Sequence, residues 1–369
     1  METLSCHHFR IEKITDWQGF HALKPEWNEL LLNSNADNYF LTYEWLSIWG
    51  RHICGESDPF LLIAREPETG NLLGVTPFVI EKNYFIKKLI FMGNGSLQTD
   101  HFDFIIKEGY EQEIVKVFTT ILYQQRNRWD TIFLDGLKSS SQVLQNLLAS
   151  TESDHKLIYS ETCPYLPLPD SWESLKQKFG KNLRYNLGRY QRKLDKCFPG
   201  AVSFQTVKEE SELITAMSKL YQLHHLIQFS NKNRKGLFEE KKIEDLNDEI
   251  SKQALALGNL RLHSLRVEDN IIAVLYCFQY KNRVYYYQAG YDPEWKNFSP
   301  GRLLMAYAIK KAITEGMKEF DFLRGNEAYK LAWTSQYRTE NRIHLPLSLK
   351  GKISLLPLMV RNKIKKFLA

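Results

Sequence analysis

Apolar and polar positions define two hairpin-like pairs of strands. Residues 60–80, FLLIAREPETGNLLGVTPFVI, hold two apolar runs joined by a Pro/Gly/Asn turn. Residues 260–280, LRLHSLRVEDNIIAVLYCFQY, hold two β-rich runs joined through Glu268, Asp269 and Asn270. The same succession follows each pair. In the first half HFDFII (101–106) leads to a helical stretch at 112–125 and a strand ending in TIFLDGL. In the second, VYYYQAG leads to a helix at 301–315 and the strand of EFDFLRG. This predicts an internal duplication at the level of the fold. Between the halves, Phe179, Leu183, Leu187 and Leu194 recur at helical spacing within 176–198, and a second helical pattern covers 211–229. The polar stretch 230–242 is expected to be a mobile loop.

Length agrees with this reading, since 369 residues exceed what one core usually supports. The expected division is 1–165, 166–346 and a basic amphipathic tail at 347–369. With 43% hydrophobic and 13% aromatic residues, the chain is a packed globular protein rather than a disordered one. Cys6, Cys54, Cys163, Cys197 and Cys277 are scattered and show no CxxC spacing, which argues against a disulfide framework or a zinc site and for a reducing compartment. Neither a signal-peptide pattern nor an apolar run of about 18 residues is present. The expectation is a cytoplasmic protein.

Charge changes the picture once it is located. The net charge is +6, yet residues 176–196 alone carry eight Lys/Arg against one acid, and residues 350–369 carry six Lys/Arg and no acid. The rest of the chain is therefore net negative, and these two segments call for an anionic partner: phosphate, membrane surface or nucleic acid. In the tail, apolar residues and lysines fall on opposite sides of a short helix, which suits either an anionic bilayer at the inner membrane face or docking on the protein's own core. In 176–196, Phe179, Tyr185 and Tyr190 are interleaved with basic residues, compatible with RNA, a glycan, a phosphate group or a plain solvated face.

The chemistry concentrates in residues 283–333, which read as strand, glycine-containing loop, helix, strand and short helix. A loop opening a helix N-terminus suits a pyrophosphate. Ser299, Gly301 and Arg302 stand at that point, with Pro300 between them. Read as local structure alone, Ser299 is an ordinary helix cap. The loop before the first-half helix, 107–111, carries two glutamates, which would repel a pyrophosphate. One donor site is therefore expected, in the second half.

This order of parts resembles the GNAT acyltransferase core, and FDFLRGNEAYKLAW (320–333) resembles the CelD-like acetyltransferases associated with surface polysaccharides, themselves similar to Fem-type aminoacyltransferases. NYFLTYEWLSIW (38–49) and KNLRYNLGRYQRKL (181–194) support the match. The resemblance covers roughly residues 39–345 and implies an α+β fold of two GNAT-like halves, mixed sheets flanked by helices. It implies direct acyl transfer from acyl-CoA, as acetyl-CoA, to an amine on a sugar or surface-polysaccharide precursor, with no metal.

Under that resemblance Tyr287, Gln288, Ala289 and Gly290 form the strand edge that meets the pantetheine arm, and Tyr329 protonates the leaving thiolate. Packing of Tyr329 on Trp333 is the bland alternative. Asp292 is a candidate base or a turn residue. Arg324 is a candidate for substrate charge or a partner of Asp321 or Glu327. Asp100, His101, Asp103, Glu327 and Lys330 are expected at the acceptor or at phosphate. His224 and His225 are further base candidates, of which at most one faces a cleft. Two rivals stay open: a Fem-like transferase using aminoacyl-tRNA, with the basic helix on RNA, and a non-catalytic module that binds a glycan or a partner.

Overall fold

The computed structural model describes residues 4–6, 9–36, 38–83, 85–95, 97, 99–149, 156–230 and 236–355. Residues 231–235 of the expected mobile loop and most of the basic tail (356–369) lie outside these residues. The chain forms two compact units, Met1–Glu161 with Thr339–Ala369, and Thr162–Arg338.

The first unit holds β1 (Leu4–Cys6), β2 (Phe9–Ile14), α1 (Trp17–Ala22), α2 (Lys24–Leu32), α3 (Tyr43–Ile53), β3 (Asp58–Arg65), β4 (Leu72–Val75), β5 (Phe78–Asn83), β6 (Ile86–Phe91), β7 (Ile105–Ile106), α4 (Glu111–Gln124), β8 (Thr131–Lys138) and α5 (Gln142–Ala149). The expected hairpin at 60–80 is present, but its return strand is interrupted at Thr76–Pro77, because proline cannot donate to a ladder. β3 therefore pairs with both β4 and β5. The duplication is also less literal than the sequence implies. The strand lying parallel to β8 is β6, while the HFDFII segment supplies only the two-residue β7, paired with β4.

The strand β9 (Lys156–Pro167) enters the second unit at Thr162, and α6 (Trp172–Lys178), α7 (Lys181–Cys197), β10 (Val202–Thr206), α8 (Glu210–Ser230), α9 (Lys241–Ala256), β11 (Leu260–Val267), β12 (Asn270–Tyr280), β13 (Arg283–Tyr291), α10 (Pro300–Thr314), β14 (Glu319–Asp321) and α11 (Ala328–Leu331) follow. The basic stretch expected as one helix is two, because the chain breaks at Phe179–Gly180, where Phe179 is buried against Trp172 and Trp333. Strand order is β9–β14–β13–β12–β11–β10, antiparallel except for β13 with β14. α10 starts at Pro300, whose fixed φ suits a first helical position. It ends at Gly316, where the N–H groups of Gly316 and Met317 reach back to Ile313 and Ala312, a Schellman stop. Its apolar face (Leu303, Leu304, Ala308, Ile309, Ala312, Ile313) is buried with Leu183 and Leu194 of α7 and with Ala273, Leu275 and Cys277 of β12. Each fully buried leucine or isoleucine among them contributes roughly 1.5–3 kcal/mol.

α8 covers the opposite face of this sheet. There Gly290 is required by close approach, since a Cβ would stand 2.8 Å from Leu223 Cβ and 3.2 Å from the His224 nitrogen. The division expected at 346/347 differs from the structure for a clear reason. The last strand, β15 (Tyr337–Pro346), runs antiparallel to β8 from Glu340 to Pro346 and so returns the chain to the first unit.

Candidate functional site

The parallel pairing of β13 with β14 lasts only from Arg283 to Tyr285, opposite Glu319 to Asp321. Beyond it β14 turns away, and Phe322 donates to the Pro164 carbonyl. Asp321 shapes this exit: its carboxylate accepts from the Leu323 N–H at 2.8 Å and pairs with Arg338 at 3.0 Å. Leu323 takes a left-handed conformation there, with φ 56°. The strands thus splay, and a cavity of about 390 Å³ lies in the second unit beside the splay.

Its lining joins three elements: Tyr286, Ala289 and Tyr291 of β13 beside Leu275; Lys296 with Ser299, Pro300, Gly301, Arg302 and Met305 at the start of α10; and Tyr329 with Trp333. A bulge explains the β13 set. The register shifts between Tyr276 and Cys277, so that Tyr286 opposes Cys277 and Ala289 opposes Leu275. One extra residue resets the alternation. Tyr286, Ala289 and Tyr291 line the cavity, whereas Tyr287 packs on Tyr276 and Phe278, and Gly290 against α8. Of the four strand residues expected at the donor, only Ala289 lines the cavity. Gln288 sits in register with Tyr276 and is not part of the lining.

The start of α10 is as the sequence implies, with one correction. Ser299 occupies the cap position, yet its side chain makes no cap hydrogen bond, and its backbone is left-handed at φ 54°. That conformation costs a non-glycine residue roughly 1 kcal/mol or more. It turns the chain from the 3-10 segment Pro293–Phe298 into the helix. Pro300 has no N–H, and the Arg302 and Leu303 N–H groups bond the Ser299 carbonyl at 3.1 and 3.2 Å, so the helix start offers the cavity the Gly301 N–H and the positive end of its dipole. A Cβ on Gly301 would meet only the Tyr291 ring at 3.7 Å. Arg302 stands beside it, and Lys296 adds a second cation.

Tyr329 is 44% exposed, and its hydroxyl lies 3.2 Å from that of Tyr286. The ring packs edge-on against Tyr286, and Trp333 packs on Phe179. Burial, opposed by the Tyr286 hydrogen bond and aided by Glu327, pushes the Tyr329 phenol up to about 12. Burial and Tyr329 hold the Tyr286 phenol well above its ordinary range. Both stay protonated at neutral pH, so the pair presents a hydroxyl donor to the cavity.

The remaining second-unit candidates have structural employment. Lys330, 5% exposed, donates to the Arg324 carbonyl at 2.6 Å and pairs with Glu327 at 3.1 Å. It is neither a solvated residue nor a cavity cation. Glu327 folds over Gly325, where a Cβ would meet its carboxylate at 2.3 Å, and Gly325 holds φ 120°. Arg324 is half-buried, and Asp321 pairs with Arg338; Arg324 is not in the cavity lining. Asp292 caps the 3-10 segment by accepting from the Glu294 N–H at 3.0 Å, as its turn reading implies. His225 faces Glu244 at 3.5 Å, and His224 packs on Phe238, burial pushing it down to about 4. Neither histidine lines the cavity.

In the first unit, Asp100 and His101 are buried. His101 pairs with Glu340 through its ring and donates its backbone N–H to the Glu340 carboxylate at 2.7 Å, while its carbonyl accepts from the Asn38 side-chain amide at 2.7 Å. This is a structural knot at a left-handed residue, φ 66°, in place of the expected acceptor contact. Asp103 lines a separate cavity of about 340 Å³ with Lys138, Ser141 and Glu111. Burial raises it to about 6, against hydrogen bonds from Ser141 and the Phe104 N–H. At the start of α4, Glu111 accepts from the Gly109 N–H at 2.8 Å and from Asn35 at 2.6 Å. A carboxylate thus sits where the second unit leaves its helix N-terminus open.

Residues missed by the sequence reading are Tyr286, Tyr291, Lys296 and Met305. Only the bulge decides which β13 side chains line the cavity, and no sequence signal marks it.

Comparison with known proteins bears on the same region. Residues 181–331 match the family model described as an acetyltransferase (GNAT) domain. No curated protein matches the chain. Among solved structures the chain is similar to FemX, with 10% identity over 97% of this chain and 100% of that one and a TM-score of 0.64. It is similar to the C-terminal domain (DUF2156) of a putative lysylphosphatidylglycerol synthetase from Agrobacterium fabrum, with 11% identity over 92% and 97% and a TM-score of 0.55. A tandem GNAT protein from the clavulanic acid biosynthesis pathway matches with 8% identity over 92% and 99% and a TM-score of 0.51. At these identities the likeness is one of fold: a mixed α/β, GNAT-like architecture with tandem-GNAT neighbours. No helix among the described residues is long and apolar enough to cross a membrane.

Proposed function

We propose that the chain is an acyltransferase that binds acyl-CoA in the second-unit cavity and transfers the acyl group directly to an amine. The observation that carries this reading is the convergence on one cavity of an uncapped helix N-terminus, a strand splay and a protonated tyrosine. In this reading the Gly301 N–H and the helix dipole at the start of α10, with the side chains of Arg302 and Lys296, hold the pyrophosphate. The thioester supplies the activated acyl carbon. As the amine nitrogen bonds to it, the C–S bond breaks and the amine proton leaves to water.

Tyr329 donates a hydrogen bond to the sulfur as negative charge develops there. Its phenol, near 12, is a weaker acid than a thiol near ~8.5. Tyr329 therefore stabilises the thiolate and keeps its own proton. That is electrostatic assistance rather than full proton transfer. The CelD-like character of residues 320–333 supports a sugar or surface-polysaccharide precursor as the amine.

A second reading, transfer from aminoacyl-tRNA, is favoured by one feature: Arg184, Arg189, Arg192 and Lys193 are exposed basic residues of α7. Calorimetric titration with CoA and acetyl-CoA, wild type beside Gly301→Glu, separates the two. Binding by wild type and its loss in the variant supports the acyl-CoA reading. No binding to either ligand refutes it and makes aminoacyl-tRNA the next donor to titrate.

A further inference from the structure

We propose that one corner of the first unit is a docking surface for an anionic lipid bilayer, built from the tip of the β5–β6 hairpin and the helical residues 349–355. Phe85 at the hairpin tip is 84% exposed and Leu349 is 75% exposed, the two most exposed large apolar side chains among the described residues. Ile353, one helical turn after Leu349, is 56% exposed, while Gly351 and Leu355 on the other side of that turn are buried.

One residue ties the two segments together. The Asp130 N–H donates to the Lys87 carbonyl at 2.8 Å, and its carboxylate accepts from the Lys87 N–H at 2.9 Å. The Asp130 carbonyl accepts from the Leu347 N–H at 2.9 Å, and its carboxylate from the Ser348 hydroxyl at 2.6 Å. Phe85 lies two residues before Lys87, and Leu349 directly follows Ser348, so both emerge at the same corner.

Charge identifies the occupant. Exposed Lys87, Lys350 and Lys352 rim the apolar residues, with Lys82 and Lys88 nearby in pairs with Asp58 and Glu81. Lys87 and Lys350 share the Asp130 carboxylate, so the rim keeps an excess of positive charge beside its apolar residues, and an anionic headgroup layer over a hydrocarbon edge meets both features. The sequence beyond adds Arg361, Lys363, Lys365 and Lys366 and no acid. This inference is independent of the acyl-transfer reading, because its test involves no donor.

The test is co-sedimentation of the full chain with vesicles of phosphatidylcholine alone and with vesicles containing phosphatidylglycerol. Binding is expected only to the anionic vesicles, weakening as salt rises. Phe85→Ser should lower the partition about tenfold, from the transfer energy of a buried phenylalanine. Lys87→Gln should lower it about fivefold. Both sites are exposed, so thermal unfolding should match wild type. Equal binding of Phe85→Ser and wild type, equal binding to neutral vesicles, or self-association abolished by the same variants would each overturn the proposal; the last would make a second copy the occupant.

Discussion

Two glycines of the second unit should respond in opposite ways to the same substitution. At Gly290 a methyl group would stand 2.8 Å from Leu223 Cβ, 3.2 Å from the His224 nitrogen and 3.3 Å from the Leu220 carbonyl oxygen. Two of these neighbours are backbone of α8, so the helix must move off the sheet as a body. Overpacking of this kind costs typically about 1–3 kcal/mol. For a unit of this size about 2–4 °C of Tm is lost per kcal/mol, so Gly290→Ala should melt roughly 2–12 °C lower. At Gly301 the nearest atom to an added methyl is 3.7 Å away, and the residue lies in the first turn of α10. Alanine favours a helix over glycine by up to ~1 kcal/mol, so Gly301→Ala should melt at or slightly above wild type. The methyl group would nonetheless narrow the approach to the helix N-terminus and weaken CoA binding. Scanning calorimetry and isothermal titration on both variants check this. Gly301→Ala binding CoA like wild type would refute the placement of the pyrophosphate, and Gly290→Ala melting like wild type would refute the packing argument.

Tyr329→Phe should reduce kcat about 10²-fold while leaving CoA affinity nearly unchanged. Because burial raises this phenol to about 12, its proton stays on across pH 7–10; a basic limb below pH 10 that vanishes in the variant would contradict the assignment. Lys330→Met should cost about 1–3 kcal/mol in denaturant unfolding by orphaning the Arg324 carbonyl and Glu327 without altering CoA affinity; the reverse pattern would restore Lys330 as a phosphate contact. His344 is buried beside Phe133, and its ring nitrogens have no hydrogen-bond partner among the described residues. Burial pushes it down to about 4, so its unfolded form takes up a proton first as pH falls below ~6.5. The stability it contributes is therefore present above pH ~6.5 and lost as pH falls towards 4. His344→Phe should lose less stability than wild type over that window, as read by Tm against pH.

Periodicity and turn chemistry made much of this protein legible. The hairpin at 260–280, the helices at 211–229 and 301–315, and the strand–loop–helix–strand order around Gly301 follow from local rules: apolar spacing, turn residues between strands, and proline with glycine where a helix begins. Those rules were enough to place the start of α10 and Tyr329, after the next strand, as the candidate donor site, and the fold brings both to one cavity. They were not enough to choose the wall. Alternation assigns β13 side chains to faces only while the register is unbroken: it alone would put Tyr287 on the face of Ala289 and Tyr291, and the bulge opposite Tyr276 and Cys277 puts Tyr286 there instead. Lys330 and His101 were read as exposed chemistry because sequence gives a residue's charge and not its depth; partners brought by the fold, Glu327 at i−3 and Glu340 far along the chain, made their burial possible. Likewise, sequence put β15 with the half it follows, whereas pairing with β8 returned it to the first unit. What the chain determined alone are the local periods and caps, which depend on neighbours a few residues away. What only the tertiary structure decided are register, burial and strand partnership, which depend on contacts between residues far apart in the sequence.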